Sequence, residues 1–150
     1  MKKTMPLLLF GFLFCFIGAS CSFPSQFSSI TLHFQSSDII NENVLLPVDI
    51  VIVDKSMSET VLQIGPDDWF GDVLRDRLVG KEVTHLAFRG NSEREVKIDI
   101  PDGVSKVIIY ADYENKIDRI GQQIVISPET MNFSPSYTIH IQQNKMELAK

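Results

Sequence analysis

Short runs of alternating apolar and polar residues recur along this chain, and they restrict it to a fold built mainly from β-strands. Turn signals such as Gly90-Asn91 and Pro101-Asp102-Gly103 separate the runs. The run from Leu46 to Asp54 becomes apolar on both faces near its end, which is typical of a central strand. The predicted strands cover residues 30–35, 46–54, 83–89, 95–100, 105–113, 122–127 and 135–143. Seven short strands predict a two-sheet β-sandwich over residues 30–145, followed by a frayed tail.

One helix interrupts the strands after the second of them. Pro66 suits the first turn of a helix, an apolar stripe runs on to Leu78, and Gly80 suits its end. We therefore predict one inserted helix near residues 66–79, while residues 56–62 stay ambiguous. Trp69 and Phe70 are adjacent and cannot face the same way on a helix. We expect one of the two rings to lie in the core. The other ring, if exposed, would be an aromatic anchor for a protein partner. The alternative is that both rings pack in the core.

The sequence contains no recognisable catalytic constellation. A Gly-rich phosphate loop, a G-x-S-x-G elbow and an H-E-x-x-H motif are all missing, so we predict no enzyme and no cofactor. His33 and His140 could meet across paired strands as metal ligands, but no carboxylate or thiol spacing supports a metal site. The formal net charge of −5 argues against binding to nucleic acid or to anionic lipid.

The N-terminal residues have the three parts of a secretory signal peptide. Lys2 and Lys3 are the positive region, residues 7–17 are apolar, and residues 18–20 are small. We predict that residues 1–20 are a signal peptide. A permanent transmembrane anchor is an alternative, although such a helix needs about 20 apolar residues. An ordinary secreted protein is the other alternative.

The segment Ile17-Gly18-Ala19-Ser20-Cys21 resembles the lipobox of bacterial lipoproteins. The resemblance implies cleavage before Cys21, a diacylglycerol on its thiol and acylation of the new amino group. Residues 21–29 would then be a lipidated tether that attaches the domain to a membrane through acyl chains. Ser22 in the position after the cysteine implies the outer membrane, with the domain facing the periplasm.

A second resemblance concerns the domain itself. The strand Leu46-Pro47-Val48-Asp49-Ile50-Val51-Ile52-Val53, followed by Asp68-Trp69-Phe70 at a helix start, resembles type VI secretion lipoproteins of the outer-membrane anchoring class. That family implies a transthyretin-like sandwich with an added helix and no catalysis. It also implies a structural role, in which the first inter-strand loop contacts the periplasmic domain of a large inner-membrane secretion protein. The corresponding loop is 37–45, and its tip is Asn41, Glu42 and Asn43.

A different class of function remains open at this level. The chain could be a lipoprotein that binds a small ligand or an envelope component and has no link to secretion. A large apolar pocket between the two sheets would favour that hypothesis.

The predicted lipid attachment has a direct test. Because Cys21 would carry the acyl chains, Cys21→Ala is expected to release the protein from membranes into the soluble fraction. Fractionation of cells before and after a carbonate wash measures the release. Retention of the variant in washed membranes would show that Cys21 is not the attachment point.

Overall fold

The protein folds as two four-stranded β-sheets packed face to face, with a helical insertion on the outer face of one sheet. The computed structural model describes residues 29–78, 82–115, 120–127 and 136–149. The predicted signal peptide, Cys21 and the tether up to residue 28 lie outside these ranges. The strands are β1 (Ser29–Ser36), β2 (Leu46–Asp54), β3 (Val83–Phe88), β4 (Ser92–Asp99), β5 (Val104–Ala111), β6 (Gln123–Ile126), β7 (Ser136–Ile141) and β8 (Met146–Leu148).

The strand order confirms the predicted two-sheet β-sandwich. One sheet has the order β4-β1-β7-β8, and the other has the order β3-β2-β5-β6. The β1–β7 pair is parallel and the other pairs are antiparallel. Strand β2 lies between β3 and β5, as its double apolar face predicted.

The last strand corrects the predicted frayed tail after residue 145. Residues Met146–Leu148 form β8, which pairs with β7 and turns the Met146 side chain into the core, where it is 3% exposed. The amide of Ala149 then donates to the carbonyl of Thr138 at 2.8 Å. Three residues with one buried side chain are too short to show a period of two. The prediction of seven strands therefore missed one of the eight described.

The helical insertion begins earlier than predicted, directly after β2. Helix α1 spans Lys55–Trp69 and α2 spans Val73–Leu78. The Asp54 carboxylate caps α1 by accepting from the Met57 amide at 2.9 Å. Gly65, at φ +71°, kinks α1, and Pro66 starts the next helical turns. The ambiguous residues 56–62 are thus helical. The predicted single helix near residues 66–79 is wrong in its continuity, because residues 66–69 end α1 and residues 70–72 separate them from α2. None of the helices in the described ranges has the length and apolarity needed to cross a membrane.

Two cores hold these layers together. The main core lies between the sheets, where side chains such as Phe34, Leu46 and Ile109 are fully buried. The second core lies between α1 and the outer face of β2 and β5, and includes Trp69 and Tyr110. Strand β2 contributes to both cores, which explains why it is apolar on both faces.

The assignment of β8 can be tested by truncating its buried side chain. Met146→Ala is expected to lower the free energy of unfolding by about 2–5 kcal/mol, because the side chain leaves a cavity in the main core. Urea unfolding followed by circular dichroism measures this loss. Exposed Glu147 provides the matched control, and Glu147→Ala should change the value by no more than about 0.5 kcal/mol. If Met146→Ala and Glu147→Ala lower the free energy of unfolding by equally small amounts, residues 146–148 do not pack against the main core.

Candidate functional site

The loop of residues 37–45, called here the end loop, joins β1 of one sheet to β2 of the other. Its three central residues have left-handed backbone angles, with φ of 44° at Asn41, 54° at Glu42 and 65° at Asn43. Asparagine tolerates this region, whereas glutamate rarely adopts it. Three consecutive residues in this conformation persist only where their surroundings hold them.

The side chain of Asn41 supplies much of that support. It is 2% exposed, and its Oδ1 accepts from the Glu114 amide at 2.6 Å while its Nδ2 donates to the Leu45 carbonyl at 3.2 Å. Its own amide donates to the Gln143 carbonyl at 2.9 Å. Asn41 therefore ties the end loop to the segment after β5 and to the turn before β8. The structure places it inside the loop and not at the exposed tip where the sequence analysis put it.

The surface of the end loop is unusually apolar. Ile39, Val44 and Leu45 are 53%, 47% and 52% exposed, and they account for half of the large hydrophobic side chains that are exposed in the described ranges. Glu42 and Asn43, which the sequence analysis placed at the tip of the loop, are also exposed. Sequence reasoning missed the three apolar residues, although large aliphatic side chains in a loop without strand alternation were a usable signal. Exposed apolar side chains concentrated on one loop are typical of an interaction surface.

The end loop lies far from the point where the predicted tether enters the domain. Strand β1 starts at Ser29, opposite Asp99, and ends at Ser36, opposite Ser92. Eight residues of strand separate the two ends of the sandwich by about 25 Å. At the end-loop side, the Ser36 hydroxyl donates to the Gly90 carbonyl at 2.5 Å and accepts from the Ser92 amide at 2.9 Å. These bonds join the β3–β4 turn to the base of the end loop.

The predicted aromatic anchor separates into two different environments. Trp69 is fully buried and stacks on Tyr110, with ring centroids 5.0 Å apart. Phe70 is half-buried, and the guanidinium of Arg75 lies 5.3 Å from its ring centroid. Trp69 is thus a core residue in this structure and not an exposed anchor. Phe70 lies at the seam between helix and sheet.

A buried carboxylate lies beside Trp69 and attaches the helical insertion to the sheet. Asp49 on β2 is 1% exposed. Its Oδ2 accepts from the Trp69 indole at 2.9 Å and from Arg75 Nε at 2.6 Å, and its Oδ1 lies 2.6 Å from His85 Nδ1. Burial alone would raise the pKa of the Asp49 carboxyl, but hydrogen bonds from Arg75, His85 and Trp69 together hold the pKa below its usual value. The cluster links β2, β3 and both helices, and its contacts are those of a structural clamp.

The remaining histidines lie on the outer face of the other sheet. The β1–β7 register places His33 beside Thr138 and His140 beside Gln35, so the two histidines are offset by two residues. His33 Nδ1 lies 3.4 Å from Glu95 Oε2. In the register of β7 and β8, His140 lies opposite Glu147. Within the described ranges, no group of three or more histidine, cysteine, aspartate or glutamate side chains is arranged to hold a metal ion.

The fold is similar to those of several solved structures. A chain in the structure of the T6SS protein TssM C-terminal domain from EAEC has a TM-score of 0.65 and 13% identity, covering 83% of this chain and 99% of that one. Serratia marcescens Lip, a membrane bound component of the Type VI Secretion System, has a TM-score of 0.61 and 13% identity, with coverages of 82% and 98%. The T6SS lipoprotein TssJ1 from Pseudomonas aeruginosa has a TM-score of 0.59 and 13% identity, with coverages of 81% and 95%.

These likenesses are structural. The chain matches no protein-family model and no curated protein sequence. At 13% identity the similarity shows a shared fold alone, and Lip and TssJ1 are among the structures that share it. The resemblance inferred from the β2 strand and the helix start is therefore confirmed at the level of the fold.

The Asp49 clamp predicts a specific loss of stability. Asp49→Asn keeps the shape but removes the charge that faces Arg75 and His85, so the free energy of unfolding at pH 7 should fall by about 2–4 kcal/mol. Urea unfolding measures this fall. Asp99→Asn neutralises an exposed carboxylate on β4 and is the matched control. It should change the free energy of unfolding very little.

The lowered pKa of the Asp49 carboxyl predicts that the stability of the fold depends on pH. The folded-state pKa of Asp49 lies below its ordinary value of 3.8, so the ionised group stabilises the fold above about pH 4. That stabilisation is lost as the pH falls through the folded-state pKa. The free energy of unfolding of the parent chain should therefore decline as the pH falls below about 4, and the decline should be shallower in Asp49→Asn. Parallel pH profiles for the two proteins would contradict the role of Asp49.

Proposed function

We propose that this chain is an outer-membrane lipoprotein, anchored through acyl chains on Cys21, that serves as a structural component of a type VI-like secretion complex. Its end loop would bind the periplasmic domain of an inner-membrane secretion protein, and the chain would perform no catalysis. One observation carries the proposal: exposed apolar residues are concentrated on a braced loop, at the end of the sandwich opposite the predicted tether.

The conformation of the end loop supports a binding role. Because Asn41 and its hydrogen bonds already hold the backbone, little conformational entropy is left to lose when a partner binds. Ile39, Val44 and Leu45 would transfer apolar surface out of water, which favours association by about 25 cal/mol for each Å² buried. Glu42 and Asn43 would form a polar rim around that contact.

The position of the end loop also suits a partner across the periplasm. With Cys21 eight residues before Ser29, a short tether would keep the Ser29 end of the domain near the membrane. The end loop, about 25 Å further along β1, would then face away from the outer membrane. The solved structures with this fold include a membrane bound component and a lipoprotein of type VI secretion systems, which supports the same assignment.

A small-ligand function has less support. The hypothesis required a large apolar pocket between the sheets, but that space is packed with buried side chains from both, among them Leu32, Val48 and Ile139. In the part of the chain that the structure describes, this packing favours contact with a partner through the surface of the domain.

The proposed contact is tested by placing a charge on the apolar part of the end loop. Full-length protein isolated from cross-linked envelopes should carry an inner-membrane secretion protein with it, and Leu45→Glu should reduce that recovery at least about tenfold, because a carboxylate would be buried without a counter-charge. Quantitative mass spectrometry of the co-purified proteins measures the recovery.

Val73→Glu is the matched control, since Val73 is 63% exposed and belongs to α2 and not to the end loop. It should leave the recovery unchanged, and both variants should keep the parent unfolding midpoint. If the parent protein recovers no secretion-machine protein, the proposed function is wrong. If Leu45→Glu recovers it as well as Val73→Glu does, the end loop is not the contact.

A further inference from the structure

The exposed residue Glu42 has a backbone conformation that is unfavourable for its residue type. Its φ of 54° and ψ of 32° lie in the left-handed region, where the β-carbon crowds the following carbonyl oxygen. Glycine avoids that crowding, and asparagine or aspartate tolerates it better than other residues do. The two neighbours in the same conformation, Asn41 and Asn43, are asparagines. Glu42 is therefore the one residue of the three whose side chain does not suit its backbone.

The described contacts of the Glu42 side chain do not offset this cost. Its Oε1 accepts from Asn115 Nδ2 at 3.4 Å, and that contact is exposed. A long hydrogen bond in contact with water contributes little to stability. The bonds that brace the end loop come instead from the buried side chain of Asn41. The contacts within the described fold therefore give no reason for a carboxylate at position 42.

The backbone on both sides of Glu42 is held by hydrogen bonds. The Asn43 amide donates to the Ile40 carbonyl at 2.9 Å, and the Val44 amide donates to the Asn41 carbonyl at 2.8 Å. The side chain of Ile40 is buried in the main core, which fixes these bonds to the sandwich. Strained residues that their surroundings hold in place are concentrated at functional sites. A backbone that is already fixed also has less conformational entropy to lose when a partner binds.

The charge of the end loop indicates the chemical group that Glu42 suits. The loop contains two exposed carboxylates, Asp38 and Glu42, and no lysine, arginine or histidine. Its exposed apolar side chains precede and follow Glu42 in the chain. A complementary surface would place a cationic donor beside an apolar region, and a lysine or arginine side chain has both a cationic head and an apolar stem.

We propose that Glu42 binds a lysine or arginine side chain of the protein that the end loop contacts, and that this contact is the reason for a glutamate in a strained position. The inference rests on the proposed function, because it takes the end loop as the contact surface. Apolar contacts around Glu42 would exclude water, and a charge-assisted hydrogen bond is stronger there than in an exposed site. A partner with a carboxylate at the same place would be repelled, so Glu42 contributes to the choice of partner.

Two variants at position 42 separate binding from stability. Glu42→Gly should raise the unfolding temperature of the full-length protein in detergent by about 2–4 °C, because glycine removes the steric cost. The same variant should lower recovery of the partner from cross-linked envelopes about tenfold, because the carboxylate is lost. Glu42→Gln keeps the size and the strain of the side chain, so it should leave the unfolding temperature unchanged and lower recovery by the same factor of about ten. A residue with a purely structural role would not lose the partner while stability rises.

A conservative variant and a matched control complete the experiment. Glu42→Asp keeps the carboxylate and suits the left-handed backbone better, so its recovery of the partner should stay within about threefold of the parent value. Glu59→Gln removes an equal charge from an exposed position on α1. This control should change neither the recovery of the partner nor the unfolding temperature.

An unfolding temperature of Glu42→Gly at or below the parent value would overturn the proposal, because glutamate would then not be unfavourable at this position. Recovery of the partner by Glu42→Gln at the parent level would also overturn it. If Leu45→Glu loses the partner in that same experiment, the proposed function stands without the cationic contact. If the recovered partner is not a secretion-machine protein but Glu42→Gln lowers its recovery about tenfold, the proposed function is wrong and the cationic contact stands. Recovery of no protein that depends on either residue would overturn both.

Discussion

The attachment of the helical insertion to the sheet depends on one carboxylate. Asp49 lies on the central strand β2, and its two oxygens face Trp69, Arg75 and His85 from three other elements. A charge this deeply buried is tolerated only because each oxygen has charged or strongly polar partners. The two side chains that donate to Asp49 also make ring contacts, Trp69 with Tyr110 and Arg75 with Phe70.

The end loop illustrates how the sandwich can support a strained and apolar surface. Its left-handed residues and exposed aliphatic side chains are unfavourable in isolation. They persist because the two neighbouring turns supply hydrogen bonds to Asn41, while Ile40 is buried in the main core. The stability of the sheets thereby maintains a surface that is prepared for a partner.

Sequence reasoning predicted the strands correctly where the alternation of apolar and polar residues extended over enough residues to be recognised. The alternation in β1 and β7 and the double apolar face of β2 identified the strands and the central position of β2. It failed at β8, where three residues show no period, and at the start of α1, where the cap Asp54 is also the last residue of a strand. In the end loop it selected the polar residues, because burial of Asn41 and exposure of Leu45 depend on contacts far apart in the chain.

The sequence by itself determined the fold class, since alternation decides which side of each strand faces a core. The lipobox resemblance and the acidic balance are likewise properties of the chain alone. Only the tertiary structure decided which polar residues became interior supports and which apolar residues remained in water. Asp49 and Asn41 acquired their roles from residues on other strands, helices and turns, and such long-range contacts leave no local pattern in the sequence.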